Sequence, residues 1–160
     1  MNPLFREKVE NAGHQIQKQE WTKNLKYGIW MGETGGAYNS GRNTITNRFM
    51  SAFWYLDWLG TLSVYGHKAF CRQTLLGGNY GLLQNENGKI RPNPDFWGAI
   101  MFNSLMKGAI SNATSNNQNI HIYVASNIAN MTHNTQSSST CAQLCFIFSH
   151  SLGTSLRNKK

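Results

Sequence analysis

Residues Tyr27 to Asn43 read YGIWMGETGGAYNSGRN, an apolar run that ends in one acid, Glu33, and then breaks into glycines, a tyrosine and small polar residues. A carboxylate delivered to the rim of a loop suits a nucleophile or a general acid/base, because its surroundings can set its pKa for either task. The competing reading is an ordinary strand-end acid paired with Arg42 or Arg72. The chain has seven acidic residues, and the other six fall elsewhere. Glu7, Glu10 and Glu20 lie in a polar N-terminal segment, Asp57 lies inside an apolar helical pattern, and Glu86 lies in a hairpin turn. Asp95 falls in a first helical turn, where the helix dipole favours an acid. Asp57, between Leu56 and Trp58, reads as a structural hydrogen-bonding acid.

A second apolar stretch, KAFCRQTLL, runs into Gly77, Gly78, Asn79 and Tyr80. Glycines let backbone approach a ligand closely, and they equally serve turns that need positive φ. Tyr38 and Tyr80 sit in the two glycine loops, where a tyrosine can contact a sugar face. Trp54, Tyr55, Trp58, Phe96 and Trp97 recur at helical spacing and read as core. The five histidines lack metal-ligand spacing, and Cys71, Cys141 and Cys145 form no C-x-x-C unit. Neither a metal site nor a disulfide framework is expected, and no cofactor is expected. Cys71 reads as a small buried hydrophobe.

The elements that must position these residues alternate. A polar helix is expected from Pro3 to about Gln19, weakened by Gly13, and Gly28 to Met31 reads as a strand buried on both faces. Ile45, Phe49, Ala52, Phe53, Leu56 and Leu59 mark a helix, with Gly60 as its C-terminal stop. Lys68 to Leu76 is a second strand, and LLQNENGKI is a hairpin turning at Asn87-Gly88. A further helix opens with Asn93 as cap and Pro94 at its first position, carries Phe96, Trp97, Ile100, Met101 and Leu105 on one stripe, and ends at Gly108. Asn119 to Val124 alternates like a strand, and no packed element is assigned beyond it. Strand, glycine loop and helix in repetition mark an α/β fold. Sites in such folds form where loops leave the carboxyl ends of strands, so both glycine loops are expected on one face.

A chain of 160 residues suits one domain with a modest core. It has no apolar run approaching the roughly 18 residues of a membrane span, so no transmembrane segment is expected. MNPLFREKVENAGHQIQKQEW carries charges where a signal peptide needs its apolar centre. The net charge of +8 favours acidic partners, but the basic residues are dispersed and no nucleic-acid motif is present. Nucleic acid is therefore not expected as a partner. Sequons at Asn112 and Asn130 fit a secretory route, although such short matches arise readily in an Asn-rich stretch.

WMGETGGAYNSG, FWYLDWLG, CRQTLLGGNYGLL and PNPDFWGAIMFNSLM, in this order and at these separations, resemble the plant heparanase-like proteins, glycoside hydrolases related to animal heparanase. The resemblance covers Trp21 to Ile110. It implies a (β/α)8 TIM barrel followed by a β-sandwich, and a retaining endo-β-glucuronidase activity on an acidic or glucuronate-containing glycan. It also implies a secreted, lysosomal or vacuolar protein, with peripheral membrane association described for some members. On this resemblance Glu33 falls on the nucleophile. Tyr38, Asn39 and Ser40 fall on one substrate-contacting loop, Gly78, Asn79 and Tyr80 on another, and Gln73 on a further sugar-facing position. Residues 1–108 would form the C-terminal portion of the barrel, and residues 109–160 the start of the sandwich followed by a divergent, disordered tail. Retaining glycosidases need a second carboxyl group about 5–5.5 Å from the first. In the family it comes from an Asn-Glu pair on an earlier strand, and the one Asn-Glu here, Asn85-Glu86, lies in the hairpin. The chain by itself is expected to catalyse little or nothing, and a non-catalytic carbohydrate-binding protein is the alternative.

Overall fold

The computed structural model describes residues 3–117, 120–126 and 143–149. It is a mixed helix and strand structure. Helix α1 spans Pro3–Gln17 and the single turn α2 spans Glu20–Lys23. Strand β1 (Ile29–Thr34), helix α3 (Phe49–Val64) and strand β2 (His67–Arg72) follow as one β-α-β unit whose strands pair in parallel. The hairpin β3 (Leu83–Glu86) and β4 (Lys89–Pro92) turns at Asn87 and Gly88, both at positive φ as the tight hairpin turn requires. Helix α4 (Pro94–Leu105) then leads to an antiparallel sheet of β5 (Ile110–Ala113), β6 (Ile120–Ser126) and β7 (Gln143–Ser149), in the order β5-β6-β7.

Several expectations change here. The polar stretch after Gly108 contributes β5, and β7 occupies part of the segment expected to be a disordered tail. Asn112 lies exposed on β5, whereas Asn130 and the rest of 127–142 and 150–160 lie outside the described residues. Strand β1 is not buried on both faces, since Trp30 is 63% exposed. Helix α3 starts at Phe49 rather than Ile45 and runs through Gly60 to Val64. Cys71 is exposed on β2 rather than buried.

The core explains Gly60. Tyr55, Leu56 and Leu59 of α3 pack with Phe102, Met106, Tyr123 and Ala125. A Cβ on Gly60 would lie 2.5 Å from Cδ2 of Tyr123, so the glycine makes room for this ring rather than stopping the helix. The Tyr123 hydroxyl donates to Asp57 Oδ1 at 2.7 Å, and its single proton being used, it accepts from Thr61 Oγ1 at 2.7 Å. His121 Nδ1 lies 2.8 Å from the same Asp57 oxygen. Asp57 is the structural hydrogen-bonding acid that its apolar neighbours imply, and it ties α3 to β6.

Gly60→Ala tests this packing. Alanine favours a helix over glycine by about 1 kcal/mol, but forcing a methyl group into a filled site costs about 1–3 kcal/mol. Tyr123 is held by hydrogen bonds to Asp57 and Thr61 and cannot swing away freely, so the upper part of that range applies. The expected result is a lower urea midpoint with unchanged slope. A higher midpoint would show that the ring does not occupy that space.

Helix α4 also turns a different face inward. Its buried residues are Asp95, Gly98 and Phe102, whereas Trp97 is 59% and Ile100 45% exposed. The helix is apolar nearly all round, so spacing could not select the face. Gly98 could have, because Leu56 packs against it with 3.3 Å to a hypothetical Cβ.

His67, buried at the start of β2, donates from Nδ1 to the Leu62 carbonyl at 3.1 Å. Burial holds its imidazole below the usual 6.5 despite that bond. Between the lowered folded pKa and 6.5 the unfolded chain binds more protons, so stability rises with pH. The contribution is present above about pH 6.5 and is lost as pH falls through the folded value. Melting measured between pH 7.5 and 5 is expected to fall less steeply in His67→Gln than in the parent chain, and equal slopes would contradict this.

Candidate active site

The parallel register of β1 and β2 fixes the site. Thr34 aligns with Arg72, so both strands end at one edge and the loops 35–48 and 73–82 leave from it together. Between Met31 and Thr34 the register gains one residue on β1, since Met31 faces Phe70 and Thr34 faces Arg72. Such a bulge re-aims side chains at a strand end. Thr34 turns inward, 1% exposed, and its hydroxyl donates to the Cys71 carbonyl at 3.2 Å. Glu33 is left exposed beside it.

The two loops are joined by backbone. The Asn79 N–H donates to the Ser40 carbonyl at 2.7 Å, the Gln73 N–H donates to the Thr34 carbonyl at 2.8 Å, and Thr46 Oγ1 donates to the Asn79 carbonyl at 2.9 Å. Gly78 adopts a positive φ of 63° against Ser40, where a Cβ would lie 3.0 Å from the Ser40 carbonyl oxygen. Asn39 and Ser40 also have positive φ, 48° and 64°, a conformation that side chains other than asparagine or aspartate rarely adopt. Among the sequence candidates, Glu33, Tyr38, Asn39, Ser40, Gln73 and Gly78 are exposed and Asn79 is half-buried. Tyr38 is 89% exposed. Tyr80 differs: it is 9% exposed, and its Cβ and ring edge lie against Gly41.

The ion pair of the competing reading, between Glu33 and Arg42 or Arg72, is not formed among the described residues. Arg72 is committed to Asp95, with Nη2 2.7 Å from Asp95 Oδ2, and these side chains are 5% and 0% exposed. The same nitrogen donates to the Tyr80 carbonyl at 2.7 Å, and the guanidinium lies 4.6 Å from the centroid of the Tyr55 ring. Burial pushes the Asp95 carboxyl up, opposed by the Arg72 charge. Burial likewise raises the Tyr55 phenol, again with Arg72 opposing. This arginine braces β2, the second loop and the first turn of α4 at one point. Sequence reasoning missed it by giving Asp95 to the helix dipole. The available signal was an acid set among the apolar residues of α4.

A parallel strand pair with an exposed carboxylate near its carboxyl end, flanked by two loops bonded to each other, puts Glu33 and both loops at the edge where α/β folds carry their sites. Residues 1–60 match the model of glycosyl hydrolase family 79, N-terminal domain. The chain is 43% identical over 106 residues to heparanase-like protein 3 of Arabidopsis thaliana, covering 66% of this chain and 19% of that protein. It is 41% identical over 121 residues to baicalin-beta-D-glucuronidase of Scutellaria baicalensis, covering 75% of this chain and 23% of that protein. Bovine heparanase is 37% identical over 79 residues, covering 49% and 14%. The chain is a relative of the plant heparanase-like proteins and spans about a fifth of the length of the first two relatives. No described helix is long and apolar enough to cross a membrane.

Proposed function

We propose that this chain supplies the nucleophile and part of the sugar-binding face of a retaining glycoside hydrolase of the heparanase type, built as the later strands and helices of a (β/α)8 barrel with residues 109–160 opening a β-sandwich. The observation that carries the proposal is the placement of Glu33, exposed at the carboxyl end of β1 and not ion-paired among the described residues. A nucleophile must be free to approach the anomeric carbon, and an exposed carboxylate at a strand end meets that condition. Tyr38, Asn39 and Ser40 on one side, and Gln73, Gly78, Asn79 and Tyr80 on the other, would hold the sugar through hydroxyl contacts and close backbone approach. The names of baicalin-beta-D-glucuronidase and of hyaluronoglucuronidase from Hirudo nipponia favour a β-glucuronide as the residue attacked.

Retention needs a general acid/base as well. Glu7 and Glu10 lie on α1, Glu20 on α2, Asp57 is bound by Tyr123, Glu86 ends β3 and Asp95 is paired with Arg72. None of these shares the strand-end loops with Glu33, so the second carboxyl would come from preceding barrel strands. The alternative, a carbohydrate-binding protein without catalysis, draws on that same distribution of acids. A fusion of this chain to the preceding barrel strands of a heparanase-like relative separates the two readings. Hydrolysis of an aryl β-glucuronide with release of the β-anomer, followed by proton NMR, is expected. Sugar binding without turnover would favour the alternative, and release of the α-anomer would exclude a covalent route through Glu33.

A further inference from the structure

The sequon Asn112-Ala113-Thr114 runs through the end of β5 and plays no part in the proposed glycosidase site. Its middle residue is not proline, and its third supplies the hydroxyl that an N-glycan acceptor requires. Such a match carries little weight in an Asn-rich stretch until the fold shows where it lies. Ile110, at the start of β5, packs against the core and pairs with Ala125 of β6. Side chains two apart on a strand share a face, so Asn112 stands on the face of Ile110, opposite Tyr123, and yet it is exposed. Ala113 and Thr114 are exposed as well. Neither the Asn112 amide nor the Thr114 hydroxyl is engaged in a hydrogen bond among the described residues.

A second observation comes from the sheet. The strand order β5-β6-β7 leaves one side of β5 without a partner strand among the described residues. An open edge invites pairing with another chain, and proteins protect such edges with charge, proline, a bulge, a cover or a very short strand. No charged residue and no proline occurs between Gly108 and Ile120. There is no bulge either, since the register of β5 on β6 runs from Ile110 opposite Ala125 to Ala113 opposite Ile122 without a shift. The shortness of β5, four residues, is the defence that remains. A bulky hydrated group on Asn112, the third of those four, would supply a cover.

We infer that Asn112 is an N-glycan acceptor and that its glycan shields the open edge of β5. The donor is a lipid-linked oligosaccharide pyrophosphate. The Asn112 Nδ2 forms a bond to C1 of the reducing-end N-acetylglucosamine, the C1–O bond to the pyrophosphate breaks, and the lipid pyrophosphate leaves with the electron pair. Nδ2 gives up one proton to a base of the transferase, and nothing is oxidised or reduced. The Thr114 hydroxyl serves recognition and stays unmodified. Both side chains are exposed, so the folded chain holds the glycan without displacing a buried group. None of this depends on the role of Glu33.

Occupancy is tested on the protein isolated from the tissue that makes it. A peptide N-glycosidase acting in oxygen-18 water converts a glycosylated asparagine to labelled aspartate. Trypsin and then chymotrypsin release Gly108–Tyr123, in which Asn112 is the sole sequon asparagine. Labelled aspartate at position 112 is expected in mass spectra, with none when the glycosidase is omitted, and an unmodified Asn112 would overturn the assignment. The shielding role is tested on the full chain produced behind a secretion leader in eukaryotic cells. Asn112→Gln and Thr114→Ala are each expected to lose this glycan completely and to shift toward self-associated species in light scattering, whereas Thr114→Ser keeps both the glycan and the parent's behaviour. Adding Ser111→Lys to Asn112→Gln places a charge on the bare edge and is expected to reverse the self-association. Association equal to the parent's in both unglycosylated variants, or no reversal by the lysine, would overturn the shielding role.

Discussion

In the fusion that supplies the preceding strands, Glu33→Gln is expected to lower glucuronide hydrolysis by at least about ten-thousand-fold, the scale of loss seen when a covalent nucleophile is removed. The amide keeps the size and shape of the side chain and loses its ability to attack the anomeric carbon. Glu33 is exposed and makes no ion pair among the described residues, so the melting temperature should hardly change. This separates the substitution from a structural one. If Glu33 merely closed the strand, the variant would retain activity. If it were a hidden structural partner, activity and stability would fall together.

The largest stability effect is expected at Asp95. Asp95→Asn leaves the Arg72 guanidinium buried without its counter-charge, and breaking one side of such a pair costs about 3–5 kcal/mol. Desolvation accounts for most of this. The double replacement Arg72→Met with Asp95→Leu removes both charges, and a buried pair exchanged for apolar residues of similar volume is often neutral. Urea denaturation is therefore expected to show a large loss in the single variant and recovery of most of it in the double one. Equal losses in both would mean that Arg72 matters through its bond to the Tyr80 carbonyl and its stacking on Tyr55 rather than through the charge pair.

Much of the strand, loop and hairpin placement around the candidate site was legible because its signals are local. A glycine-bounded apolar run ending in an acid is enough to place Glu33 at a strand end, and Asn87-Gly88 is enough to place the hairpin. The parallel pairing of β1 and β2 then follows from the intervening helix. What escaped depends on contacts distant in sequence. Gly60 has the sequence look of a helix stop, and only Tyr123, 63 positions on, reveals it as a packing site. The inward face of α4 was hidden for a related reason, since apolar residues lie all round it and Leu56 decides which side is buried. Arg72 and Asp95 had plausible local partners, and burial from both strand and helix was needed to join them. Polarity also misled the reading of the C-terminal region, because Ser111 and Asn112 pair through backbone with β6 whatever their side chains are.

The most direct test of the central claim is to trap the glycosyl ester itself. A fluorinated glucuronide with a good leaving group, applied to the fusion, slows hydrolysis of the intermediate more than its formation and leaves the sugar on the nucleophile. Trypsin then releases Tyr27–Arg42, YGIWMGETGGAYNSGR, in which Glu33 is the sole carboxylate side chain. The account predicts one sugar added to this peptide, with none in Glu33→Gln. Label on a peptide holding any other acid, in an enzyme that still retains anomeric configuration, would contradict it.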